Sequence, residues 1–258
     1  MDTQLSAIDQ FNIVSNQISL ICLVIGVAIL LFHFFKSMVT RDPKKKYDYL
    51  NLYEIRLLSY SSIFFLVAIV FQVQMLFPNL NISQLTFIII RLAVIGMMGV
   101  AVGYFIWQYL SVSYPTLLEK RLEALRYKPR ISPKSGKAMK LLSEEEEDVH
   151  LTEGMQAEEN VFSIDYDVWV DEETGYTKIE KYDGHLHANK CPDCGFQTLK
   201  DVREEIIKSP SLTETGELIK HFDCSFCGHK EMERVRIAVL EKESVERVDR
   251  ESMSTAGG

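Results

Sequence analysis

The chain has 258 residues, of which 47% are apolar, and its formal net charge is −8. The charge is divided unevenly, because residues 1–113 carry a net charge of +2 and residues 114–258 a net charge of −10. This division is typical of a membrane part joined to a soluble part. The acidic second half argues against nucleic acid as the main partner, since phosphate binding needs a basic surface.

Three long stretches without charged residues predict three transmembrane helices in the first half of the chain. We expect them near Ile18–Met38, Leu57–Phe77 and Leu85–Leu110, because each supplies the roughly 20 apolar residues that a bilayer core requires. The alternative is a buried helical bundle of a soluble enzyme, but soluble helices need a polar face. The first sixteen residues contain no Lys or Arg, so we expect no cleavable signal peptide and a first helix that stays as an anchor.

The distribution of basic residues predicts the orientation of these helices. Neither the segment before the first helix nor the second loop, Pro78–Gln84, contains Lys or Arg. Loops rich in Lys and Arg stay in the cytoplasm, so we expect an external N-terminus and a cytoplasmic C-terminal part. The second loop carries a glycosylation pattern at Asn81–Ser83, which we interpret as coincidence because the loop is short. The basic residues are Arg41, Lys44, Lys45 and Lys46 in the first loop, and Lys120, Arg121, Arg126, Lys128, Arg130, Lys134, Lys137 and Lys140 after the third helix.

Small residues line one face of the third predicted helix. Ala93, Gly96, Gly99 and Gly103 are separated by three, three and four positions, which lets the backbone of a neighbouring helix approach closely. The alternative is that Gly is simply common in membrane helices. We favour a helix-packing face, which could lie within one chain or join the copies of a homo-oligomer.

Arg91 is a charged residue inside the third predicted span, whereas Lys36 lies at the very end of the first. A charge at that depth costs at least about 2.5–3.5 kcal/mol on insertion scales, which makes Arg91 a candidate intramembrane polar centre. The sequence favours the alternative that its side chain extends to the nearby outer surface of the membrane. No acidic residue lies in any predicted span, so a relay for protons or cations has no obvious components.

Four of the five cysteines form two C-x2-C pairs in the second half of the chain. Cys191 and Cys194 are followed by Gly, and so are Cys224 and Cys227, which permits a tight turn that directs backbone amides at sulfur. Four thiolates in two such pairs predict a tetrahedral structural zinc site, with iron or a redox disulfide as the alternatives. Because four sulfurs leave no open position, we expect the site to be structural. We interpret the nearby histidines as surface residues and Cys22 as an inert residue of the first helix; the histidines are His185, His187, His221 and His229.

The residues around the cysteine pairs alternate between apolar and polar side chains, as β-strands do. The segments "FQTLKDV", "GELIKHF" and "RVRIAVL" predict a small antiparallel zinc ribbon. The expected fold class is therefore membrane α-helical, with three transmembrane helices, plus a small all-β zinc-ribbon domain in the cytoplasm. Such a domain has a small core, so we expect the metal to supply much of its stability.

A five-residue pattern ending in Gly occurs four times in the second half of the chain. It reads "SPKSG" at Ser132–Gly136 and "DEETG" at Asp171–Gly175, and then "CPDCG" and "CSFCG" at the two cysteine pairs. In each copy, two small polar or sulfur-containing residues lie three positions apart before the Gly. The second copy lies in "YDVWVDEETGYTKIEKY", which predicts a β-hairpin with its turn at Thr174-Gly175.

The segment from about Arg130 to Leu240 resembles the C-terminal zinc-ribbon region of bacterial TPM-domain (YgcG-like) proteins, without the TPM domain itself. The resemblance depends on "LSEEEEDVHLTEGMQAEE", "YDVW", "CPDCGFQTL" and "CSFCGHKE". In that family the first two copies of the pattern are often also cysteine pairs, which implies a second metal site. Here both copies lack sulfur, and a neutral hydroxyl is a poor zinc ligand. We therefore expect one zinc per chain. The resemblance also implies a bacterial inner (plasma) membrane.

These observations predict five segments and a function. The segments are 1–16 outside the membrane, 17–113 with the three helices, 114–160 as a linker with a short helix, 161–240 as the zinc ribbon, and 241–258 as a charged, partly disordered tail. We expect a membrane-anchored adaptor or a structural subunit of a membrane complex, with the lipid bilayer and protein partners as its contacts. The alternative is a membrane enzyme or transport component with Arg91 as its polar centre.

Overall fold

The computed structural model describes residues 7–73 and 83–239. The chain divides into two compact units between Lys128 and Pro129. Several predictions lie wholly or partly outside the described residues: the external segment 1–16, the last turn of the second predicted helix, the second loop with its glycosylation pattern, and the C-terminal tail.

The first unit contains the three long helices that the apolar stretches predict. They are α1, Ala7–Val39, α2, Pro43–Val73, and α3, Gln84–Gln108. A π-helical segment, Tyr109–Ser113, joins α3 directly to a fourth helix, α4, Tyr114–Arg126. All three long helices are long and apolar enough to cross a membrane.

The helices extend beyond their predicted apolar cores. The helix α2 begins at Pro43, a residue that is well tolerated in a first helical turn because its missing N–H has no partner there. Asp42 accepts a hydrogen bond from the backbone N–H of Lys45 at 3.0 Å and thereby caps this helix. The first loop is therefore shorter than predicted, and Lys44, Lys45 and Lys46 lie in the first turn of α2.

Serine hydroxyls join α1 to α2. Ser19 Oγ donates to the carbonyl of Ala68 at 3.0 Å, and Ser61 Oγ donates to the carbonyl of Gly26 at 3.0 Å. A Cβ at Gly26 would lie 3.3 Å from the ring of Phe65, so this glycine allows the close approach of the two helices. Hydroxyls and small residues at such contacts are typical of helices that pack in a membrane.

Two of the four small residues of α3 face α2 within the same chain. A Cβ at Gly99 would lie 3.0 Å from Val70, and one at Gly103 would lie 3.1 Å from Leu66. A Cβ at Gly96 would meet no atom within 4 Å. The C-terminal half of the predicted packing face is therefore used within the chain, while Gly96 is open.

The helix α4 packs against the beginning of α2. Leu118 and Leu122 are buried against Leu50. Glu54, which is 2% exposed, accepts hydrogen bonds from the hydroxyl of Tyr114 and the guanidinium of Arg121. Residues 114–126, expected to be the start of a linker, thus belong to the first unit because an apolar face and an ion pair hold them to α2.

The second unit contains two three-stranded antiparallel sheets. The first is formed by β1, Lys140–Leu141, β2, Ile164–Val170, and β3, Thr177–Asp183; the second is formed by β4, Leu199–Lys208, β5, Gly216–Cys224, and β6, Lys230–Ile237. Each sheet keeps the chain order of its strands. The predicted β-hairpin corresponds to β2 and β3, and the three predicted ribbon strands correspond to β4, β5 and β6.

The second unit differs from the small all-β domain that the sequence predicts. It begins at Pro129, and two short helices, α5, Glu144–Glu147, and α6, Glu153–Asn160, precede β2. Its apolar core is formed by Leu151, Ile164, Tyr166 and Val168. The remaining part of the expected linker, up to residue 160, therefore folds as part of this unit.

A buried ion pair joins the start of the second unit to β3. Arg130 and Glu180 are both buried, and Arg130 Nη2 lies 2.6 Å from Glu180 Oε2. The hydroxyl of Tyr182 donates to the same carboxylate at 2.9 Å, and the Arg130 guanidinium lies 4.7 Å from the ring of Trp169. Arg130, one of the basic residues expected to follow the membrane, is instead a core residue of this unit.

Candidate metal centre

All four copies of the five-residue pattern adopt the same turn. In each, the backbone N–H of the Gly donates to the carbonyl of the first residue, and the N–H of the first residue donates to the carbonyl five positions later. These eight hydrogen bonds are 2.8 to 3.0 Å long. The four glycines, Gly136, Gly175, Gly195 and Gly228, have φ angles of 72°, 66°, 79° and 73°, a region that favours Gly. We call Ser132–Gly136 and Asp171–Gly175 the oxygen turns, and Cys191–Gly195 and Cys224–Gly228 the cysteine turns.

The two cysteine turns bring four sulfur atoms together. The Sγ atoms of Cys191 and Cys227 are 3.6 Å apart, and all four Sγ atoms lie within 4.8 Å of one another. Cys224 Sγ lies 3.8 Å from Cys194 Sγ and 3.5 Å from Cys227 Sγ. A tetrahedron with metal–sulfur bonds of about 2.3 Å has edges of about 3.8 Å, so the spacing fits four thiolates around one metal ion. It is too long for a disulfide, whose sulfurs are about 2.05 Å apart.

Hydrogen-bond donors surround the sulfur of Cys224. The hydroxyl of Thr198 lies 3.0 Å from it, and the backbone N–H of Cys227 donates to it at 3.4 Å. Burial opposes ionisation of this thiol, but the donors outweigh burial and lower its pKa to about 6. Burial raises the pKa of Cys194. The donors around Cys224 therefore favour the thiolate that a metal needs.

The four nearby histidines do not join the cysteines. His229 Nδ1 lies 2.7 Å from Asp193 Oδ2, and His221 Nε2 lies 3.3 Å from Glu205 Oε2. His185 and His187 are exposed. Within the part of the chain that the structure describes, the group able to hold a metal consists of the four cysteines alone.

The two oxygen turns also converge, and their side chains form a hydrogen-bonded cluster. Ser132 Oγ donates to Asp171 Oδ2 at 2.6 Å, Thr174 Oγ1 donates to the same oxygen at 2.5 Å, and Ser135 also bonds to the carboxylate. The Ser132 and Thr174 hydroxyls hold the pKa of the Asp171 carboxyl well below its usual range. We call Ser132, Ser135, Asp171 and Thr174 the oxygen cluster; they occupy the positions of the four cysteines in the other two turns. In the oxygen turns, hydrogen bonds from hydroxyl groups to the Asp171 carboxylate therefore connect the two turns. The four sulfurs occupy the same positions in the cysteine turns.

Buried contacts connect the first cysteine turn to α6 and β2. The carboxylate of Glu158, which is 1% exposed, accepts a hydrogen bond from the backbone N–H of Gln197 at 2.7 Å. Ser163 Oγ donates to the carbonyl of Gln197. A Cβ at Gly154 would overlap the ring of Phe196, so only Gly lets α6 lie this close. The sequence analysis missed these residues, since long-range contacts of single polar side chains leave no periodic signal.

Two glutamates with raised pKa values lie beside β2. The backbone N–H of Val168 donates to Glu147 Oε2 at 3.4 Å, and that of Tyr166 donates to Glu159 Oε1 at 3.0 Å. Burial, followed by the charge of Glu159, raises the pKa of Glu147 to about 7. Burial also raises the pKa of Glu159 to about 7. These carboxylates accept hydrogen bonds from backbone amides of β2 with which β1, a strand of two residues, does not pair.

Arg91, the candidate polar centre of the first unit, is directed toward α1. The residue is 2% exposed, its Nη2 donates to Asn12 Oδ1 at 3.4 Å, and its guanidinium lies 5.1 Å from the ring of Phe87. The sequence favours extension of this side chain to the outer surface of the membrane, and that interpretation stays a prediction; the structure places the guanidinium next to Asn12, near the start of α1. Arg91 and the cysteines lie in different units.

Comparison of the chain with protein-family models, curated proteins and solved structures gives no match. The resemblance to the TPM-associated zinc ribbon therefore stays a prediction.

Proposed function

We propose that this protein is a membrane-anchored zinc-ribbon protein, whose cytoplasmic part binds a partner protein as an adaptor or as a subunit of a membrane complex. The observation that carries the proposal is the group of four cysteine sulfurs, in which three sulfur–sulfur distances are 3.5 to 3.8 Å. A site with four protein ligands has no position for water or substrate, which is typical of structural zinc. The metal then holds the ribbon in shape for binding.

Zinc fits the donor set better than the alternatives. Four thiolates in a tetrahedron suit zinc or iron, and thiols stay reduced in the cytoplasm, where a disulfide would be unusual. Elemental analysis of the purified full-length protein should give one zinc per chain, and Cys191→Ser/Cys224→Ser should give none. Two zinc atoms per chain would contradict the single site, and iron at one per chain would contradict the choice of metal.

The orientation of the protein follows from the basic residues that border the three apolar helices. With the C-terminal unit in the cytoplasm, a thiol reagent that cannot cross the bilayer should leave Cys191 and Cys227 unlabelled in intact cells and label them after the membrane is opened. Chelator is added in both samples so that metal does not protect the thiols. Labelling in intact cells would reverse the orientation.

The ribbon sheet offers a surface for a protein partner. Val202 and Ile206 are 61% and 62% exposed on β4, which is an edge strand of this sheet. Exposed apolar side chains grouped on one element commonly mark an interaction site. The surrounding charges of both signs, such as Lys220 with Asp201 and Glu204, would add specificity more than affinity.

Co-purification in detergent tests this surface. The variant Val202→Ser/Ile206→Ser should lose a protein that crosslinks to the wild type, while keeping one zinc per chain. Val149→Ser is the matched control, because Val149 is 82% exposed in the same unit but lies outside the ribbon sheet. A partner that both variants retain would show that the ribbon strands are not the binding surface.

A second candidate function, a membrane enzyme or transport component, is favoured by the burial of Arg91 next to Asn12. A buried cation between helices is a common feature of intramembrane functional sites. If Arg91→Leu abolishes the cellular activity while cysteine substitutions only lower protein abundance, the adaptor proposal is wrong and the second candidate is supported.

A further inference from the structure

An apolar groove runs along the first unit between α2 and α3. It consists of a cavity of about 250 Å3 and a smaller one of about 80 Å3, and Ser62, Leu66 and Ile106 line both. Val73 lies at one end of the groove and Ser59 at the other. At 1.5 Å per residue this stretch of α2 spans about 21 Å. That length exceeds the half-thickness of the hydrocarbon core, about 15 Å.

The end of the groove near Ser59 has a different chemistry from the rest. The hydroxyls of Ser59 and Ser62 line it, and so does the indole of Trp107. Arg56 is exposed on α2 one turn beyond Ser59, on the side of the helix that carries Ile63. Under the proposed orientation this end is the cytoplasmic one, where Trp and basic residues lie at the level of the lipid headgroups.

We propose that this groove binds one anionic phospholipid of the cytoplasmic leaflet. Its acyl chain lies against Leu66, Met98 and Val102, its ester groups accept hydrogen bonds near Ser59 and Ser62, and its phosphate pairs with Arg56. The argument for this occupant is complementarity, because the apolar length, the hydroxyls and the cation occur in the same order as the parts of a phospholipid. A helix of a second copy would also match the apolar length, and it is the outcome in which neither lipid quenches Trp107.

The proposal rests on the membrane orientation given above, and the test separates the two. Full-length protein is reconstituted into vesicles of phosphatidylcholine and phosphatidylglycerol, in which one lipid at a time carries brominated acyl chains that quench Trp fluorescence on contact. The signal of Trp107 is obtained by subtracting that of Trp107→Phe. Carbonate extraction of the same vesicles reports insertion independently.

We expect brominated phosphatidylglycerol to quench Trp107 as if enriched about fivefold over its mole fraction, since one basic side chain near an anionic surface contributes about 1 kcal/mol. Arg56→Gln should reduce the enrichment to the mole fraction, and Arg56→Lys should keep most of it. Lys36→Gln is the matched control and should leave the enrichment unchanged. Lys36 is an exposed basic residue near the C-terminal end of α1, which is also the cytoplasmic end under the proposed orientation.

Three results would overturn the proposal. Equal quenching by the two brominated lipids would show a groove filled without selection, and enrichment that persists in Arg56→Gln would place the anion elsewhere. Inserted protein whose Trp107 neither lipid quenches would show that protein fills the groove. Failure of carbonate extraction to retain the protein would instead contradict the membrane anchor itself.

Discussion

Removing the carboxylate of Glu158 should strongly destabilise the second unit. In Glu158→Ala, the hydroxyl of Tyr166, which donates to Glu158 Oε2 in the core, loses its acceptor at a cost of about 1–3 kcal/mol. The half-buried N–H of Gln197 also loses its acceptor, for about 1 kcal/mol more. The ion pair with Lys181 contributes less than about 1 kcal/mol because Lys181 is largely exposed. The expected loss in the free energy of unfolding is about 2–5 kcal/mol.

Thermal unfolding of the full-length protein in detergent measures this loss. In a Trp107→Phe background, Trp169 is the remaining tryptophan and reports on the second unit. The midpoint should fall by at least about 6 °C, since 1 kcal/mol corresponds to about 3–6 °C for a unit of this size. Tyr166→Phe in the Glu158→Ala background should recover part of the loss, because it removes the hydroxyl left without an acceptor. A shift below about 3 °C, or strictly additive effects, would refute this reasoning.

Three further predictions concern the turns and the buried glutamates. Removing the metal with a chelator should speed hydrogen exchange at the amides of the cysteine turns but not at those of the oxygen turns, as measured by mass spectrometry. Equal acceleration in all four turns would contradict the expectation that the oxygen cluster holds its turns together without a metal. Replacing the four residues of the oxygen cluster with Cys should raise the zinc content from one to two per chain in elemental analysis, with Asp171→Cys alone as the control that should not. Burial raises the pKa of Glu147 and Glu159 to about 7, above the usual value of about 4.3. The folded state therefore binds more protons than the unfolded state between these values. The free energy of unfolding should then fall as pH rises from about 5 to 7 and level off above that. Glu147→Gln should weaken that dependence in denaturant titrations; the same slope in both proteins would argue against burial as its cause.

The apolar stretches were sufficient to predict three helices but not their ends. The additional turns of α2 contain Lys44 and Glu54, which an apolar pattern cannot include. Glu54 is stable in its buried position because α4 supplies Tyr114 and Arg121 as partners. A contact between residues more than fifty positions apart follows from packing, and neither periodicity nor composition encodes it.

The candidate metal site was predicted more completely than the unit that contains it. Cysteine spacing and the Gly after each pair are local signals, so the ligands could be identified from the sequence and the structure brings them together. The same local signal predicted the oxygen turns. The packing of α5 and α6 beside β2 could not be predicted, because these helical segments are short and rich in Glu, which usually indicates a solvated loop.

The π-helical segment between α3 and α4 determines which face of α4 is turned toward α2. An α-helix turns by about 100° per residue, so deleting one residue from Tyr109–Ser113 would swing Leu118 and Leu122 away from Leu50 without altering any of those side chains. Natural variation in this protein should therefore tolerate many substitutions in the segment but no change in its length.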